Sequence, residues 1–349
     1  MVMMKMKRQM KNRSVDTIGV IGAGSWGTAL ADVLSSKGYL CYLCGHRQEH
    51  IDALLHDQEN KKYLPGAHFN STLVPTTDIE KDVKKSQLVV LVVPSQIYRS
   101  VFQKILRHVS KKLVVVSATK GIENDSLYTM TQVMEEEIEQ SGSSVTIELG
   151  VLSGPSFARE VVDGVPTAVT IGAKDIHLAM WLQKIFVTES FRVYASGDVI
   201  GLEISAAFKN IIAIATGICD GLGYGLNTRA ALITRGLAEI ARIGAHLGAD
   251  PMTFSGLSGM GDLILTCTGD LSRNRSVGLE LGKGKSLDEI LHHMHMVAEG
   301  VKTTLSAYKL AKLHNVDMPI LEQVYKILYC NKDSSSGVKD LLQRQLKIE

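Results

Sequence analysis

The sequence contains few cysteines, and they do not form the pattern of a disulfide or metal scaffold. Five cysteines in 349 residues are an odd number, which suits free thiols in a reducing compartment and predicts a cytoplasmic protein. Cys41 and Cys44 have the spacing of a redox or zinc pair, but in a strand-like run residues three apart point to opposite faces. The histidines His292, His293 and His295 are interpreted as an exposed patch on a helix. We therefore expect no metal site.

Long hydrophobic runs and a secretory signal are also missing. The most apolar runs, residues 88–93 and 114–118, are much shorter than the roughly 20 residues that span a bilayer, so we expect buried strands and no membrane span. Residues 1–13 carry five basic residues and no acidic one, without the apolar stretch of a signal peptide. Residues 1–14 are predicted to be a disordered basic tail. Without those five charges the net charge of +2 becomes −3, which argues against a nucleic-acid-binding surface.

Apolar runs and amphipathic stretches alternate in the first half of the chain. The predicted strands are residues 17–21, 39–44, 88–93, 113–118, 145–152 and 167–171, and the predicted helices are residues 26–37, 48–56, 97–109 and 127–140. Continuously apolar strands between amphipathic helices are typical of a parallel sheet that is covered on both faces. The pattern predicts an α/β domain with a doubly wound, mostly parallel sheet.

From about residue 198 onward the pattern is helical only. The predicted helices are residues 197–219, 229–247, 275–281, 287–294, 301–314 and 320–328. Residues 331–337 are predicted to be a linker before a short final helix. The sequence therefore predicts two domains, an α/β domain at residues 15–197 and an all-α domain at residues 198–342.

Three glycines lie where the first predicted strand turns into the first helix. Gly22, Gly24 and Gly27 have the spacing of a dinucleotide-binding fingerprint, in the strand-to-helix context that this fingerprint requires. Gly22 allows a tight turn, Gly24 lets a pyrophosphate approach the backbone, and Gly27 lets the helix pack on the strand. The N–H groups and dipole of the helix N-terminus attract phosphates. Residues 15–197 are therefore predicted to be a Rossmann domain.

The end of the second strand favours NADP over NAD. In an NAD-binding domain an acidic residue at this point holds the ribose 2′-hydroxyl. Here the strand ends in Cys44, Gly45, His46 and Arg47, and no acid follows before Glu49. Arg47 can pair with a 2′-phosphate, and nothing repels one. The alternative for Arg47 is an ordinary surface charge at the start of a helix.

Three further segments indicate a small anionic substrate. Lys120 follows the strand at residues 113–118, so it stands at the carboxyl edge of the sheet, where ligands bind. Residues 152–158, which contain Gly154 and Pro155, are predicted to form a sharp loop with exposed backbone N–H groups. Arg273 and Asn274 start a helix and suit an oxyanion or a phosphate. Each has an ordinary alternative, namely a surface lysine, a turn and a capped helix.

Lys209 and Asn210 interrupt an otherwise apolar helix. Residues one turn away, among them Ser205 and Ile212, are small or apolar, and a helix that is apolar all round is a buried helix. A buried ammonium needs a partner or a lowered pKa, which suits a general acid or base. The alternative is a lysine whose stem is buried while its ammonium reaches the surface. This segment alone leaves both open.

Taken in order, these motifs resemble the bacterial type of the NAD(P)-dependent glycerol-3-phosphate dehydrogenases. The resemblance runs from about residue 18 to residue 342 and rests on the segments GAGSWGTALA (22–31), SATKGIE (117–123), LSGPSFA (152–158), AAFKNIIAIATG (206–217), GLSGMGDLILTC (256–267), SRNR (272–275) and VAEG (297–300). Members of this family are homodimers with a Rossmann domain followed by an α-helical domain. The resemblance therefore implies this architecture and a homodimer here.

The resemblance also implies roles for individual residues. It makes Lys209 the proton donor and acceptor, with Lys120 and Asp262 as further catalytic residues. The implied substrate contacts are Lys120, Gly154, Ser156, Lys209, Asn210, Asp262, Thr266, Ser272, Arg273 and Asn274. The implied cofactor contacts, besides the three glycines, are Ser25, Trp26, His46, Arg47, Lys120, Ala158, Arg273, Val297 and Glu299.

The implied reaction is the reduction of dihydroxyacetone phosphate to sn-glycerol 3-phosphate by NADPH or NADH, without a metal ion. Its product would supply glycerophospholipid synthesis, and the only implied ligand partner is this small-molecule substrate. Two alternatives remain from the residues alone. Arg273 and Asn274 suit a carboxylate nearly as well as a phosphate, so one is a related two-domain dehydrogenase that acts on a hydroxy acid or sugar acid. The other is a non-catalytic NAD(P)-binding sensor, which leaves Lys209 and Lys120 unexplained.

Overall fold

The computed structural model of the protein describes residues 14–294 and 298–345. The predicted basic tail lies outside the described residues except for residue 14. In the first half of the chain, strands alternate with helices. The strands are β1 (Thr17–Ile21), β2 (Leu40–Cys44), β3 (Glu59–Asn60), β4 (Leu64–His68), β5 (Leu73–Thr76), β6 (Leu88–Leu91), β7 (Leu113–Ser117), β8 (Ile147–Ser153), β9 (Thr167–Gly172) and β10 (Phe191–Ser196).

Eight of these described strands form one sheet, in the order β10-β9-β8-β7-β6-β1-β2-β5. Neighbouring strands are parallel, except that β8 and β9 are antiparallel. β3 and β4 form a separate antiparallel hairpin. The central strands β6 and β7 are buried along their whole length, as expected for strands covered on both faces. The predicted doubly wound, mostly parallel sheet is confirmed.

Helices connect the strands and bury the apolar faces of the sheet. They are α1 (Ser25–Ser35), α2 (Gln48–Asp57), α3 (Ile79–Lys85), α4 (Tyr98–His108), α5 (Met130–Ser141), α6 (Ala158–Val162) and α7 (Ile176–Phe186), with a 3₁₀ turn Ser95–Ile97 before α4. β1 lies between β2 and β6, so the strand order reverses there. In sheets of this kind ligands bind at the carboxyl ends of the strands beside such a reversal.

From residue 199 on, the described chain contains only helices. They are α8 (Val199–Gly221), α9 (Leu226–His246), α10 (Asp262–Thr268), α11 (Arg273–Gly282), α12 (Leu287–His292), α13 (Glu299–Leu313), α14 (Pro319–Tyr329) and α15 (Ser334–Leu342). A 3₁₀ turn Pro251–Ser255 and a π-helical turn Leu257–Gly261 precede α10. The predicted all-α second half is confirmed.

α8 is the longest described helix and lies at the centre of the helical part. It has 23 residues and a mean hydropathy of 1.5 in its most apolar stretch, 94% of which is buried inside the protein. By length and composition alone α8 could cross a bilayer, so the statement that every apolar run is far too short is wrong. The expectation of no membrane span is not contradicted, because this helix is buried inside the protein. The surrounding helices explain this composition, since α8 packs against α9, α10, α11 and α13, and a helix with no solvent-facing side can be apolar all round.

Several elements do not follow from the sequence patterns, namely β5, β10, the β3–β4 hairpin, α3, α6, α7 and α10. β10 shows why. Its residues Phe191 and Val193 are buried, whereas Arg192 and Tyr194 are exposed. An edge strand with this alternation lacks the continuous apolar run that indicates a central strand.

The predicted linker at residues 331–337 is wrong in part. The carboxylate of Asp333 accepts a hydrogen bond from the backbone N–H of Ser336 and caps α15. Residues 334–337 are therefore the first residues of a helix. Serine and aspartate favour helix starts as well as loops, so composition alone does not separate the two.

The structure describes the cysteines and two of the three histidines that could have suggested a metal site. Cys41 and Cys44 are free, buried thiols in β2, and burial raises the pKa of both. His292 and His293 are exposed at the end of α12, and His295 lies outside the described residues. Within the described ranges, no group of three or more histidine, cysteine, aspartate or glutamate side chains is arranged to hold a metal ion.

α8 and α11 touch each other through glycines, which brings their backbones into direct contact. A Cβ atom on Gly217 or Gly221 of α8 would lie 2.1 or 2.2 Å from a backbone oxygen of α11. A Cβ atom on Gly278 or Gly282 of α11 would lie 2.1 or 2.3 Å from a backbone oxygen of α8. This contact fixes how close the start of α11 lies to α8.

Gly278→Ala should destabilise the protein by about 1–3 kcal/mol, because the added methyl group would force two backbones apart. The carbonyl oxygen of Ile214 stands 2.1 Å from the position of that methyl group, and a backbone cannot move aside as a side chain can. Urea unfolding measures the change. Gly197→Ala is the control, since nothing lies within 4 Å of its Cβ position; equal stability of the two variants would contradict the packing described here.

Candidate active site

In the glycine loop after β1, Gly22 and Gly27 pack tightly against backbone atoms, whereas the space beside Gly24 is free. Gly22 has a φ of +123°, and a Cβ atom there would lie 2.1 Å from the carbonyl oxygen of Val92, so only glycine fits this turn. A Cβ atom on Gly27 would lie 1.8 Å from the carbonyl oxygen of Gly22. At Gly24, by contrast, nothing lies within 4 Å of the Cβ position. A ligand can therefore approach the backbone at Gly24.

The N-terminus of α1 lies at this opening. Gly24 is its N-cap residue and provides no side-chain cap. Ser25 and Trp26 form the first turn and are half-buried, and the buried indole Nε1 of Trp26 has no hydrogen-bond partner among residues 14–294 and 298–345. The uncapped N–H groups and the positive end of the helix dipole suit an anion.

Arg47, at the end of β2, is held by a tyrosine from the β3–β4 hairpin. His46 and Arg47 are both exposed, and Arg47 is the N-cap residue of α2. Nη2 of Arg47 donates a 2.5 Å hydrogen bond to the hydroxyl oxygen of Tyr63. Tyr63 is a candidate site residue that sequence analysis missed, because no pattern in the sequence shows that the hairpin folds back onto the end of β2.

Two lysines share one buried carboxylate where the helices meet the sheet. Nζ of Lys209 on α8 lies 2.5 Å from Oδ1 of Asp262 and donates a 2.6 Å hydrogen bond to Oγ1 of Thr266. Nζ of Lys120, on the loop after β7, lies 2.9 Å from Oδ2 of Asp262. Only 7% of the Lys209 side chain is exposed, so its ammonium does not reach the surface. The structure thus brings together the three residues that the sequence suggested for catalysis.

Burial lowers the pKa of Lys209 to about 7. The positive charge of Lys120 also lowers it, whereas the carboxylate of Asp262 raises it because it favours the charged form. Ammonium and amine therefore coexist near neutral pH. A lysine in this state can both give and accept a proton, which a lysine of ordinary pKa does not do at neutral pH.

The turn before α10 places Asp262 opposite α8. The π-helical turn Leu257–Gly261 leads directly to Asp262, the first residue of α10, and π-helical turns occur frequently at functional sites. One turn later, the hydroxyl of Thr266 donates a 2.6 Å hydrogen bond to the carbonyl oxygen of Asp262. This bond orients the Thr266 oxygen, which accepts from Lys209. The lysine is therefore held by two oxygens of the same helix.

Next to Lys209 on α8, a pair of asparagines joins three helices. Nδ2 of Asn274 donates to Oδ1 of Asn210 at 2.9 Å, and the backbone N–H of Gly300 donates to Oδ1 of Asn274 at 2.9 Å. Sequence analysis did not single out Gly300, although it ends the segment VAEG. Ser272 is the N-cap residue of α11 and is buried. The start of α11 is therefore fixed against α8 and α13.

Arg273, the first residue of α11, is exposed, yet desolvation by the surrounding protein lowers its pKa, and the charge of Glu299 opposes this effect. Access to solvent within dense protein surroundings is the environment of a cleft. Glu299 accepts a 2.8 Å hydrogen bond from Oγ of Ser95, and burial raises its pKa. Ser95 follows β6 and was not indicated by the sequence. Val297 lies outside the described residues.

The loop between β8 and α6 is connected to Lys120. Gly154 has a φ of +129°, and a Cβ atom there would lie 2.9 Å from Cα of Val169. Its carbonyl oxygen accepts hydrogen bonds from Oγ of Ser156 at 3.0 Å and from Nζ of Lys120 at 3.4 Å. Ala158 is the half-buried first residue of α6. Gly154 and Ser156 thus belong to the group around Lys120.

The predicted site residues form two groups. Ser25, Trp26, His46 and Arg47 surround the glycine loop, and they make no hydrogen bond to the described residues around Asp262. The second group consists of Lys120, Gly154, Ser156, Lys209, Asn210, Asp262, Thr266, Ser272, Arg273, Asn274 and Glu299, which lie on β7, β8, α8, α10, α11 and α13 or on the loops that follow them.

Comparison with known proteins gives matches along nearly the whole chain. Residues 17–179 match the family model described as NAD-dependent glycerol-3-phosphate dehydrogenase N-terminus, and residues 198–339 match the corresponding C-terminus model. The glycerol-3-phosphate dehydrogenase [NAD(P)+] of Desulfotalea psychrophila is 57% identical over 95% of this chain and 98% of its own length. That of Syntrophotalea carbinolica is 53% identical over 95% and 99%. The crystal structure of glycerol-3-phosphate dehydrogenase from Coxiella burnetii superimposes with a TM-score of 0.90 at 37% identity, covering 94% of this chain and 99% of that one.

The protonation of Lys209 can be followed directly by NMR of the enzyme labelled with ¹³C at lysine Cε. We expect one lysine signal with a midpoint near pH 7, and its absence in Lys209→Met assigns it. Lys120→Met should raise this midpoint because it removes a like charge, and Asp262→Asn should lower it because it removes the opposite charge. A Lys209 midpoint near the ordinary value of about 10.4, or one that does not respond to Lys120→Met, would contradict the described electrostatics.

Proposed function

The chain belongs to the NAD-dependent glycerol-3-phosphate dehydrogenase family, and we propose that Lys209 is the proton donor of its reaction. This reaction is the NAD(P)H-dependent reduction of dihydroxyacetone phosphate to glycerol 3-phosphate, a precursor of glycerophospholipids. The proposal rests on the buried contact of the Lys209 ammonium with Asp262 and Thr266. Family membership favours this reaction over the two alternatives, a hydroxy-acid or sugar-acid dehydrogenase and a non-catalytic sensor.

The glycine loop and α1 fit the NAD or NADP that this family uses. The space at Gly24 admits a pyrophosphate, and the uncapped N-terminus of α1 favours its charge. We assign the 2′-phosphate of NADPH to Arg47, assisted by His46, and therefore propose that NADPH is favoured over NADH. The further cofactor contacts that we propose are Ser25, Trp26, Lys120, Ala158, Arg273, Val297 and Glu299. When bound, the nicotinamide supplies the hydride that reduces the substrate.

Two consecutive residues on each of two helices are proposed to hold the substrate. Arg273 and Asn274 bind the phosphate at the start of α11, where the guanidinium and the helix N-terminus both favour an anion. Lys209 and Asn210 on α8 face the ketone and hydroxyl end. The 2.9 Å hydrogen bond between Asn274 and Asn210 fixes the distance between the phosphate site and the proton donor.

In the reduction, negative charge develops on the ketone oxygen as the carbonyl carbon is reduced. The Lys209 ammonium donates its proton to this oxygen, while Asp262 and Thr266 keep Nζ in place. The second cation, Lys120, stabilises the developing alkoxide. In the reverse direction the Lys209 amine accepts the proton from the alcohol. A positioned acid of this kind contributes roughly 10²–10⁴-fold in rate.

We also propose that the protein is a cytoplasmic homodimer with a Rossmann domain at residues 15–197 and a substrate and dimerisation domain at residues 198–342. The free cysteines in the described part of the chain support a reducing compartment. Leu226 and Met252, both in the helical part, are 73% and 72% exposed. A dimer interface on this part of the protein would cover large apolar side chains of this kind.

Lys209→Met should lower kcat for dihydroxyacetone phosphate reduction by at least about 10²-fold, because the acid is lost while the apolar stem is kept. Steady-state kinetics and NADPH binding by fluorescence measure the two effects, and binding should be retained. Lys174→Met is the control, since that side chain is 73% exposed and forms an ion pair with Glu135. A kcat near that of the wild type would remove Lys209 from the role of acid.

Arg273→Ala should lower kcat/KM for dihydroxyacetone phosphate much more than kcat/KM for unphosphorylated dihydroxyacetone. A lost charge-assisted hydrogen bond costs roughly 1.5–3 kcal/mol, and the unphosphorylated substrate never makes it. kcat/KM is measured for both substrates at saturating NADPH, and the NADPH affinity is measured alongside because Arg273 is also a proposed cofactor contact. If kcat/KM falls by the same factor for both substrates, the phosphate is bound elsewhere.

A further inference from the structure

A buried asparagine connects the glycine loop with the proposed 2′-phosphate site. Asn60 is the second residue of β3 and is fully buried. A buried side-chain amide needs hydrogen-bond partners at both of its ends. Asn60 finds them on segments that are far apart in the sequence.

The nitrogen end of Asn60 binds the glycine loop. Nδ2 donates a 3.2 Å hydrogen bond to the carbonyl oxygen of Ala23, the residue between Gly22 and Gly24, and a 2.7 Å hydrogen bond to Oγ1 of Thr28 on α1. Asn60 therefore contacts both the loop and the helix that follows it. These are the elements proposed to hold the pyrophosphate of either cofactor.

The oxygen end of Asn60 binds the residues behind Arg47. Oδ1 accepts hydrogen bonds from the backbone N–H of Tyr63 and from Nε2 of His50, each at 3.2 Å. The Tyr63 ring packs edge-on against His50, with 5.1 Å between the ring centroids. The Tyr63 hydroxyl in turn accepts the 2.5 Å hydrogen bond from Arg47.

We propose that Asn60 is a positioning residue that sets the distance between the glycine loop and Arg47 and thereby establishes the preference for NADPH. The inference rests on the proposed pairing of Arg47 with the 2′-phosphate. Arginine has a long side chain with many rotamers, and holding it in one place costs conformational entropy. The hydrogen bond to Tyr63 orients Arg47, and Asn60 places Tyr63 relative to the loop that binds the pyrophosphate.

The two cofactors differ at this site only by the 2′-phosphate. A change that disturbs the glycine loop alone weakens the binding of NADPH and of NADH equally, since both have a pyrophosphate. A change in the distance from the loop to Arg47 weakens the binding of NADPH alone, because NADH has no group for Arg47 to bind. The ratio of kcat/KM for NADPH to kcat/KM for NADH therefore separates a positioning role from a general structural role.

The test is a double-mutant cycle on this ratio with the wild type, Asn60→Ala, Arg47→Ala and the double variant. We expect Asn60→Ala to lower the ratio by about 3- to 10-fold, the loss of one oriented hydrogen bond. In the Arg47→Ala background the same substitution should leave the ratio unchanged, because no guanidinium remains to be positioned. Thermal unfolding of each variant is measured alongside.

A second pair of variants tests the same contact if Asn60→Ala does not fold. Thr28→Val removes one hydrogen-bond acceptor of Asn60 at nearly constant volume and should lower the ratio in the same direction. Thr28→Ser keeps the hydroxyl and should leave the ratio near that of the wild type. The positioning role is overturned if Arg47→Ala lowers the ratio but Asn60→Ala and Thr28→Val lower kcat/KM for both cofactors by the same factor. If Arg47→Ala does not change the ratio, the proposed 2′-phosphate site itself is wrong.

Discussion

The candidate site depends on one carboxylate, that of Asp262, which lies buried between the ammonium groups of Lys209 and Lys120. Without it two like charges would face each other in the interior, and an uncompensated buried charge costs roughly 3–5 kcal/mol. The loop after β7, α8 and α10 must therefore meet at this point. Because Lys120 comes from the sheet edge and the other two residues from helices, the same contact fixes the helices against the sheet. Burial lowers the pKa of Lys209 to about 7, and the carboxylate of Asp262 opposes this shift.

The rest of the fold supplies the surroundings that this contact needs. α8 is apolar on all sides because helices enclose it, and this enclosure is what desolvates Lys209. The glycines between α8 and α11 let the two backbones touch, which brings Arg273 and Asn274 within reach of Asn210. At the same carboxyl edge of the sheet, after β1, the open space at Gly24 lies at the N-terminus of α1. A few close backbone contacts thus place the proposed proton donor, the proposed phosphate-binding residues and the glycine loop.

Features that depend on local chain geometry could be predicted from the sequence. The glycine loop is one, since strand, turn and helix are consecutive. The central strands are another, because their apolar runs are continuous. The partners of Lys209 could not be derived in this way: Asp262 lies 53 residues after it and 142 residues after Lys120, so the resemblance to a known family had to supply them. Tyr63, Ser95 and Asn60 were missed because only the folded chain places them beside the site.

The pH dependence of kcat/KM in both directions tests the central claim most directly. With Lys209 as acid and a free-enzyme pKa of about 7, the reduction of dihydroxyacetone phosphate should fall as the pH rises through about 7, because the ammonium is lost. The oxidation of glycerol 3-phosphate should rise through the same pH, because the amine is formed. A reduction rate that stays constant up to about pH 9, or profiles that change in the same sense in both directions, would contradict the assignment of a buried lysine, tuned by Asp262 and Lys120, as the proton donor.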